Sequence, residues 1–89
     1  MTKPFIRLNP ADNVVVALKD MKRGDTIEVD GTAITLLNDI LFEHKVAVCD
    51  IAEGENVLKY GLPIGHATHK IAAGEHVHEH NLTSNYIIK

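Results

Sequence analysis

Ala47-Val48-Cys49-Asp50-Ile51-Ala52-Glu53-Gly54-Glu55-Asn56-Val57 sets two short apolar segments on either side of a Gly-acid pair. The same pattern occurs twice more, as Ala17-Leu18-Lys19-Asp20-Met21-Lys22-Arg23-Gly24-Asp25-Thr26-Ile27 and as Ala67-Thr68-His69-Lys70-Ile71-Ala72-Ala73-Gly74-Glu75-His76-Val77. Each copy has Ala, an apolar residue four places on, Gly three later, an acid next, and Ile or Val two after that. Gly followed by Asp or Glu is turn chemistry, because glycine supplies the positive φ that other residues resist. The flanking segments are short, rich in β-branched residues and alternating, as in Thr26-Ile27-Glu28-Val29 and Val46-Ala47-Val48, which is the signature of strands. The expected fold is all-β, built of short strands and glycine turns.

Working outward, Asp39-Ile40-Leu41-Phe42-Glu43-His44-Lys45-Val46 is a degenerate fourth copy, with Glu43 standing where the others carry Gly. The turn glycines fall at 24, 54 and 74, an irregular spacing that excludes a fixed-period solenoid. One supersecondary unit is therefore used several times inside a single domain, residues 1–89. Asp30-Gly31, between Val29 and Ile34, predicts a hairpin. Tyr60-Gly61-Leu62-Pro63-Ile64-Gly65 reads as a Gly/Pro loop leading into the third repeat. Ile34 to Phe42 is the one segment with helical spacing (Leu37, Ile40, Leu41), but it is short and lacks a cap.

Composition bounds the function. With a net charge of −3, and nine Lys and Arg residues that form no run, the chain has no basic patch for neutralising phosphates, which argues against nucleic acid. No apolar run is long enough to span a membrane, and MTKPFIRLNP lacks the apolar core of a signal peptide. A cytoplasmic location is expected. A single cysteine, Cys49, excludes an internal disulfide and a multi-cysteine zinc site. It also aligns with Lys19 and His69 at a solvent-type position.

The chain has six histidines, five of them between His66 and His80. In Glu75-His76-Val77-His78-Glu79-His80-Asn81 they alternate, so an extended strand would project His76, His78 and His80 from one face and Val77 from the other. Neutral imidazole suits Zn, Fe, Ni or Cu. His76 and His80 would lie roughly 13 Å apart along a straight strand, so a pair of these histidines with ligands from elsewhere fits one ion better than all three. A polar edge that happens to use histidine is the other reading. His66 and His69 occupy positions held by ordinary residues in the other copies and read as surface groups. His44-Lys45, at the turn of the degenerate copy, pairs a potential proton donor with a point-charge anion binder.

Three stretches together resemble the SAF-type β-clip domain of sugar-acid dehydratases, namely the altronate and galactarate dehydratases and the related sulfolactate sulfo-lyases. They are His44-Lys45-Val46-Ala47-Val48 through Glu55, then Lys59-Tyr60-Gly61-Leu62-Pro63-Ile64-Gly65-His66-Ala67-Thr68, and finally Ile71-Ala72-Ala73-Gly74-Glu75-His76-Val77-His78-Glu79-His80-Asn81. The resemblance covers essentially the whole chain, more weakly over residues 1–38. It implies a small subunit, or an N-terminal domain, of a hydro-lyase that takes water from a polyhydroxy acid to give a 2-keto-3-deoxy acid. It implies a divalent metal, usually iron, and a large catalytic subunit or domain as partner, with homo-oligomers possible. On this basis His44 and Lys45 are the candidate catalytic residues. His76, His78 and His80 are the candidate metal ligands, and Asn81 a candidate substrate contact for a small anionic sugar acid. The family pattern has Pro-x-Gly-His-Lys where this chain has Leu41-Phe42-Glu43-His44-Lys45, so Glu43 stands at a glycine position. A non-catalytic SAF module that binds carbohydrate or a protein partner is the alternative.

Overall fold

The computed structural model describes residues 3–84. Its strands are β1 (Phe5–Ile6), β2 (Val14–Ala17), β3 (Thr26–Val29), β4 (Thr32–Thr35), β5 (Lys45–Ala47), β6 (Asn56–Lys59), β7 (Leu62–Ala67), β8 (His76–Val77) and β9 (Leu82–Thr83). The described residues contain no helix, so the expected all-β fold holds and the weak helical spacing of 34–42 is not used. No helix is long and apolar enough to cross a membrane.

Four strands form a central antiparallel sheet in the order β1-β2-β5-β8. Its register explains why β2 reads as a continuous apolar run: both faces of the sheet are covered. On one face Val15, Ala17 and Val46 pack with Ile27, Val29 and Ile34 of the β3–β4 hairpin. On the other, Val14, Ala47 and Val77 pack with Val57 and Ala67 of β6–β7. Aliphatic side chains thus fill two cores, one under each hairpin, and the molecule is elongated, 45 × 22 × 21 Å.

The repeats build the turns at Gly24, Gly54 and Gly74, with φ of +92°, +84° and +89°. In each, the following acid folds back on the turn. The amides of Lys22, Ala52 and Ala72 donate to the carboxylates of Asp25, Glu55 and Glu75 at 2.9–3.0 Å. The copies also pair with one another, through bridges Met21↔Ile40 and Ile51↔Ile71. Asp20 accepts from the Phe42 amide and Asp39 from the Arg23 amide, a reciprocal clasp across the first bridge. The degenerate copy is therefore a true fourth turn. Its Glu43 takes the glycine conformation, with φ +71°, and His44 occupies the place of the acid.

A left-handed conformation costs an L-residue about 1–2 kcal/mol, while glycine gives back roughly 0.5–1 kcal/mol through the entropy of the unfolded chain. Glu43→Gly is thus expected to stabilise the fold by up to about 1 kcal/mol in urea titration. A loss of stability would show that the Glu43 side chain has a compensating contact.

Asp30-Gly31 forms the expected two-residue hairpin, both residues at positive φ. The segment from 60 to 65 is different from its expectation as a loop. Tyr60-Gly61 is a second two-residue hairpin, and Leu62–Ala67 is a full strand despite Pro63 and Gly65. A register shift between Val57 and Leu58 accommodates it. The buried carboxylate of Asp12 holds this turn by accepting from the Tyr60 and Gly61 amides, a contact 48 residues away in sequence that local reading cannot supply.

Candidate metal and anion site

Strand β8 pairs with β5 in the register Lys45↔Val77 and Val46↔His76. Continuing that register sets His44 opposite His78, on the same face as His76 and Val46. The amide of Ala17 donates to the His44 carbonyl at 2.9 Å. Two cross-strand rows therefore run through the first core and end at the sheet edge in histidine, one through Ala17 to His44 and His78, the other through Val15 and Val46 to His76. Because His44 replaces the acid of the other turns, its ring is not engaged in holding its own turn.

The rings meet. His44 Nδ1 lies 2.8 Å from His76 Nε2, and the planes of His44, His76 and His78 stack within 18° of parallel with centroids 4.4–5.5 Å apart. One ligating nitrogen from each of the three falls within 4.8 Å of the other two. Desolvation, followed by the charges of His44, His80, His78 and Lys45, pushes the His76 pKa down to about 4. His76 is therefore a neutral imidazole at physiological pH, the form that ligates metal.

The strict alternation expected from His76 to His80 stops after Val77. The strand is two residues long, and the chain turns at His78–Asn81, where the Asn81 amide donates to the His78 carbonyl. His80 is exposed and tilted against His76 at 5.3 Å, outside the close trio. The third member comes instead from His44, 32 residues upstream of His76. Val77 is fully buried, as expected.

Asn81 is itself buried, with 3% of its surface exposed. Its Oδ1 accepts from the His78 amide, and its Nδ2 donates to the His76 carbonyl and to Glu75 Oε2. Its side chain is satisfied inside the turn, where it aims both histidines. Two supports were not apparent in the sequence. Asn38 Oδ1 accepts from the His76 amide. Glu75, recognisable only as a turn acid, also holds Asn81.

Alternation sends Lys45 to the opposite face from His44. There it lines a groove of about 280 Å³ with Ile64, His78, Glu79 and Leu82. Burial, and then the charge of Lys59, lowers its pKa below the usual lysine range. Among the described residues the one ion pair is Arg7–Asp30; the half-buried Lys45 forms none with them, although Glu79 lines the same groove. His66 lies on β7 and His69 in an exposed turn, both apart from the trio. Cys49 is exposed and its thiol pKa is raised by partial burial and the nearby Glu55 and Asp50, the opposite of an activated nucleophile.

The His76 pKa carries a pH prediction for the metal-free chain. Unfolded histidine takes up its proton near 6.5 and folded His76 near 4. Between these values the unfolded chain binds more protons, so stability falls as pH drops from 6.5 to 4, and this contribution to the slope ends below 4. His76→Gln should flatten the urea midpoint over this window. An unchanged slope would show that the ring is protonated as readily in the folded chain as in the unfolded one.

Comparison with known proteins gives a consistent set of relatives. The sequence model described as "Altronate/galactarate dehydratase SAF domain" matches residues 3–85. The chain is 51% identical over 81 residues to altronate dehydratase of Escherichia coli (strain K12), covering 91% of this chain and 16% of that protein. It is 42% identical over 83 residues to altronate dehydratase of Bacillus subtilis (strain 168), covering 93% of this chain and 17% of that protein. With (2R)-sulfolactate sulfo-lyase subunit alpha of Chromohalobacter salexigens it shares 51% identity over 39 residues, 44% of this chain and 42% of that subunit. The chain thus spans about a sixth of the two altronate dehydratases, and is nearly equal in length to the sulfo-lyase subunit.

Proposed function

The chain belongs to the SAF-domain family of altronate/galactarate dehydratases, and from that membership we propose that it is the small domain or subunit of a sugar-acid hydro-lyase. The reaction removes water from a polyhydroxy acid to give a 2-keto-3-deoxy acid, at a site completed by a large catalytic domain or subunit. The observation that carries the reading is the convergence of His44 on His76 and His78, which a purely structural module does not require.

Three imidazole nitrogens, one of them held neutral, fit a divalent ion of the Fe, Zn, Ni or Cu type better than Mg, which prefers oxygen ligands. His44, His76 and His78 would hold it, so His44 serves as a ligand and His80 is left free to carry a proton. Iron is the ion we expect. When bound, the ion supplies Lewis-acid assistance to departure of a hydroxyl group. Lys45 then binds the substrate carboxylate in the adjoining groove. Asn81 acts through the turn, keeping His76 and His78 in place. Removal of the proton α to the carboxylate also needs a base, which we assign to the partner.

The test is purification of the intact enzyme, with the dehydratase body continuous with this chain or co-purified as a separate subunit, followed by metal analysis and an activity panel of hexonates, aldarates and sulfolactate. Sugar-acid dehydration lost on His44→Ala and His78→Ala supports the reading. Full activity in both variants overturns it. The isolated 89-residue chain should be inactive on every substrate in the panel.

A further inference from the structure

Beyond the histidines, a second face of the molecule lies beside β1 and β2. Ile6, Leu18, Phe42 and Tyr60 are each more than 40% exposed, and all four line one groove of about 330 Å³ whose floor includes Val16. Scattered exposed apolar residues are ordinary, but four large ones gathered around one concavity mark an interaction surface. The groove is continuous with the candidate site in two ways. Its wall, Phe42-Glu43, is the turn that carries His44. Its floor belongs to the cross-strand row Ile6–Val16–Lys45, which leads directly to the second groove, shared by Lys45 and His78.

We propose that this face is where the catalytic body of the dehydratase docks, its apolar side chains seating against Ile6, Leu18, Phe42 and Tyr60. The proposal rests on the functional reading above and adds the surface. Two observations select this occupant. In the two altronate dehydratases, more than four-fifths of the protein lies outside the region matched by this chain, so a body large enough to cover the face exists in the same polypeptide. A cover laid along the Ile6–Val16–Lys45 row also reaches the groove shared by Lys45 and His78, both only partly buried in the chain alone. Docking here shields the Lys45–His78 groove from bulk water.

Hydroxyl-radical footprinting of the isolated chain and of the intact enzyme tests this. Oxidation of Phe42 and Tyr60 should fall about tenfold or more in the intact enzyme, while Leu37, also exposed (44%) but outside the groove, keeps its rate. The double variant Leu18→Asp/Phe42→Asp should weaken association about 30-fold or more, the size expected for interface anchors, and restore Tyr60 oxidation. Both substitutions are at exposed positions, so circular dichroism of the isolated variant should match wild type. An intact enzyme in which Phe42 and Tyr60 react as in the free chain overturns the docking face and leaves the dehydratase reading standing. Protection already present in the isolated chain and lost on dilution assigns the groove to a second copy instead, and overturns it too. A chain that associates with no dehydratase body overturns both readings.

Discussion

His44→Ala, His76→Ala and His78→Ala are each expected to weaken binding of Zn²⁺ or Ni²⁺ to the chain by about a hundredfold or more. Even residues that merely orient ligands are worth about 10–100-fold, and a removed ligand costs at least that. His80→Ala should change the affinity by less than about threefold, because its ring stands outside the group of three whose nitrogens lie within 4.8 Å. The imidazoles are at least partly exposed, so the metal-free variants should lose less than about 1 kcal/mol of stability. Val77→Ala makes the opposite change. Its side chain is fully buried, and truncation should cost about 1–3 kcal/mol through a cavity while leaving an intact trio. Isothermal titration with each ion, paired with urea unfolding, separates the two effects. Equal affinity in all four histidine variants would remove the metal site from consideration.

Gly74→Ala should be far more damaging than Gly54→Ala, although both glycines occupy the same place in the repeat. At Gly54, with φ +84°, an added Cβ meets nothing within 4 Å. Its cost is therefore the left-handed conformation less the unfolded-chain entropy that alanine saves, up to about 1 kcal/mol. At Gly74, with φ +89°, the Cβ would fall 2.1 Å from the Thr35 carbonyl oxygen and 3.4 Å from Ile34 Cγ2. Relieving that overlap must push the third turn away from β4 and from the segment after it, where the Leu37 amide donates to the Gly74 carbonyl. Overpacking adds about 1–3 kcal/mol to the conformational cost. The sum, roughly 1–4 kcal/mol, is a large share of the 5–15 kcal/mol that holds a typical domain together. Urea midpoints within experimental error of each other would mean that β4 yields to the added methyl without loss.

What could be read directly from the residues is what sequence-local physics controls. The turns at Gly24, Gly54 and Gly74 depend on a positive φ and on an acid that reaches an amide three residues back, all within four consecutive positions. The Asp30-Gly31 hairpin is equally local. Alternation was enough to bury Val77, and the recurrence of Asp25, Glu55 and Glu75 was enough to mark them as turn formers. His44-Lys45 was visible as the turn of the degenerate copy, but that His44 takes the place of the acid, and is thereby released from its turn, emerged only from the hydrogen bonds of the other three turns.

The site itself was only half legible. Alternation put His76 and His78 together, but it assumed a straight strand as far as His80, and Asn81 bends the chain back through hydrogen bonds to Glu75, His76 and His78. The third imidazole arrives through the β5–β8 register, which is set by burial of Val46 and Val77 in two different cores. The Tyr60–Gly61 turn likewise depends on Asp12. Local sequence therefore determined which turns form and which side chains are free of them. Only the tertiary structure decided which free side chains meet, because a register between segments some thirty residues apart is settled by packing on both faces of the central sheet and by no property of either segment alone.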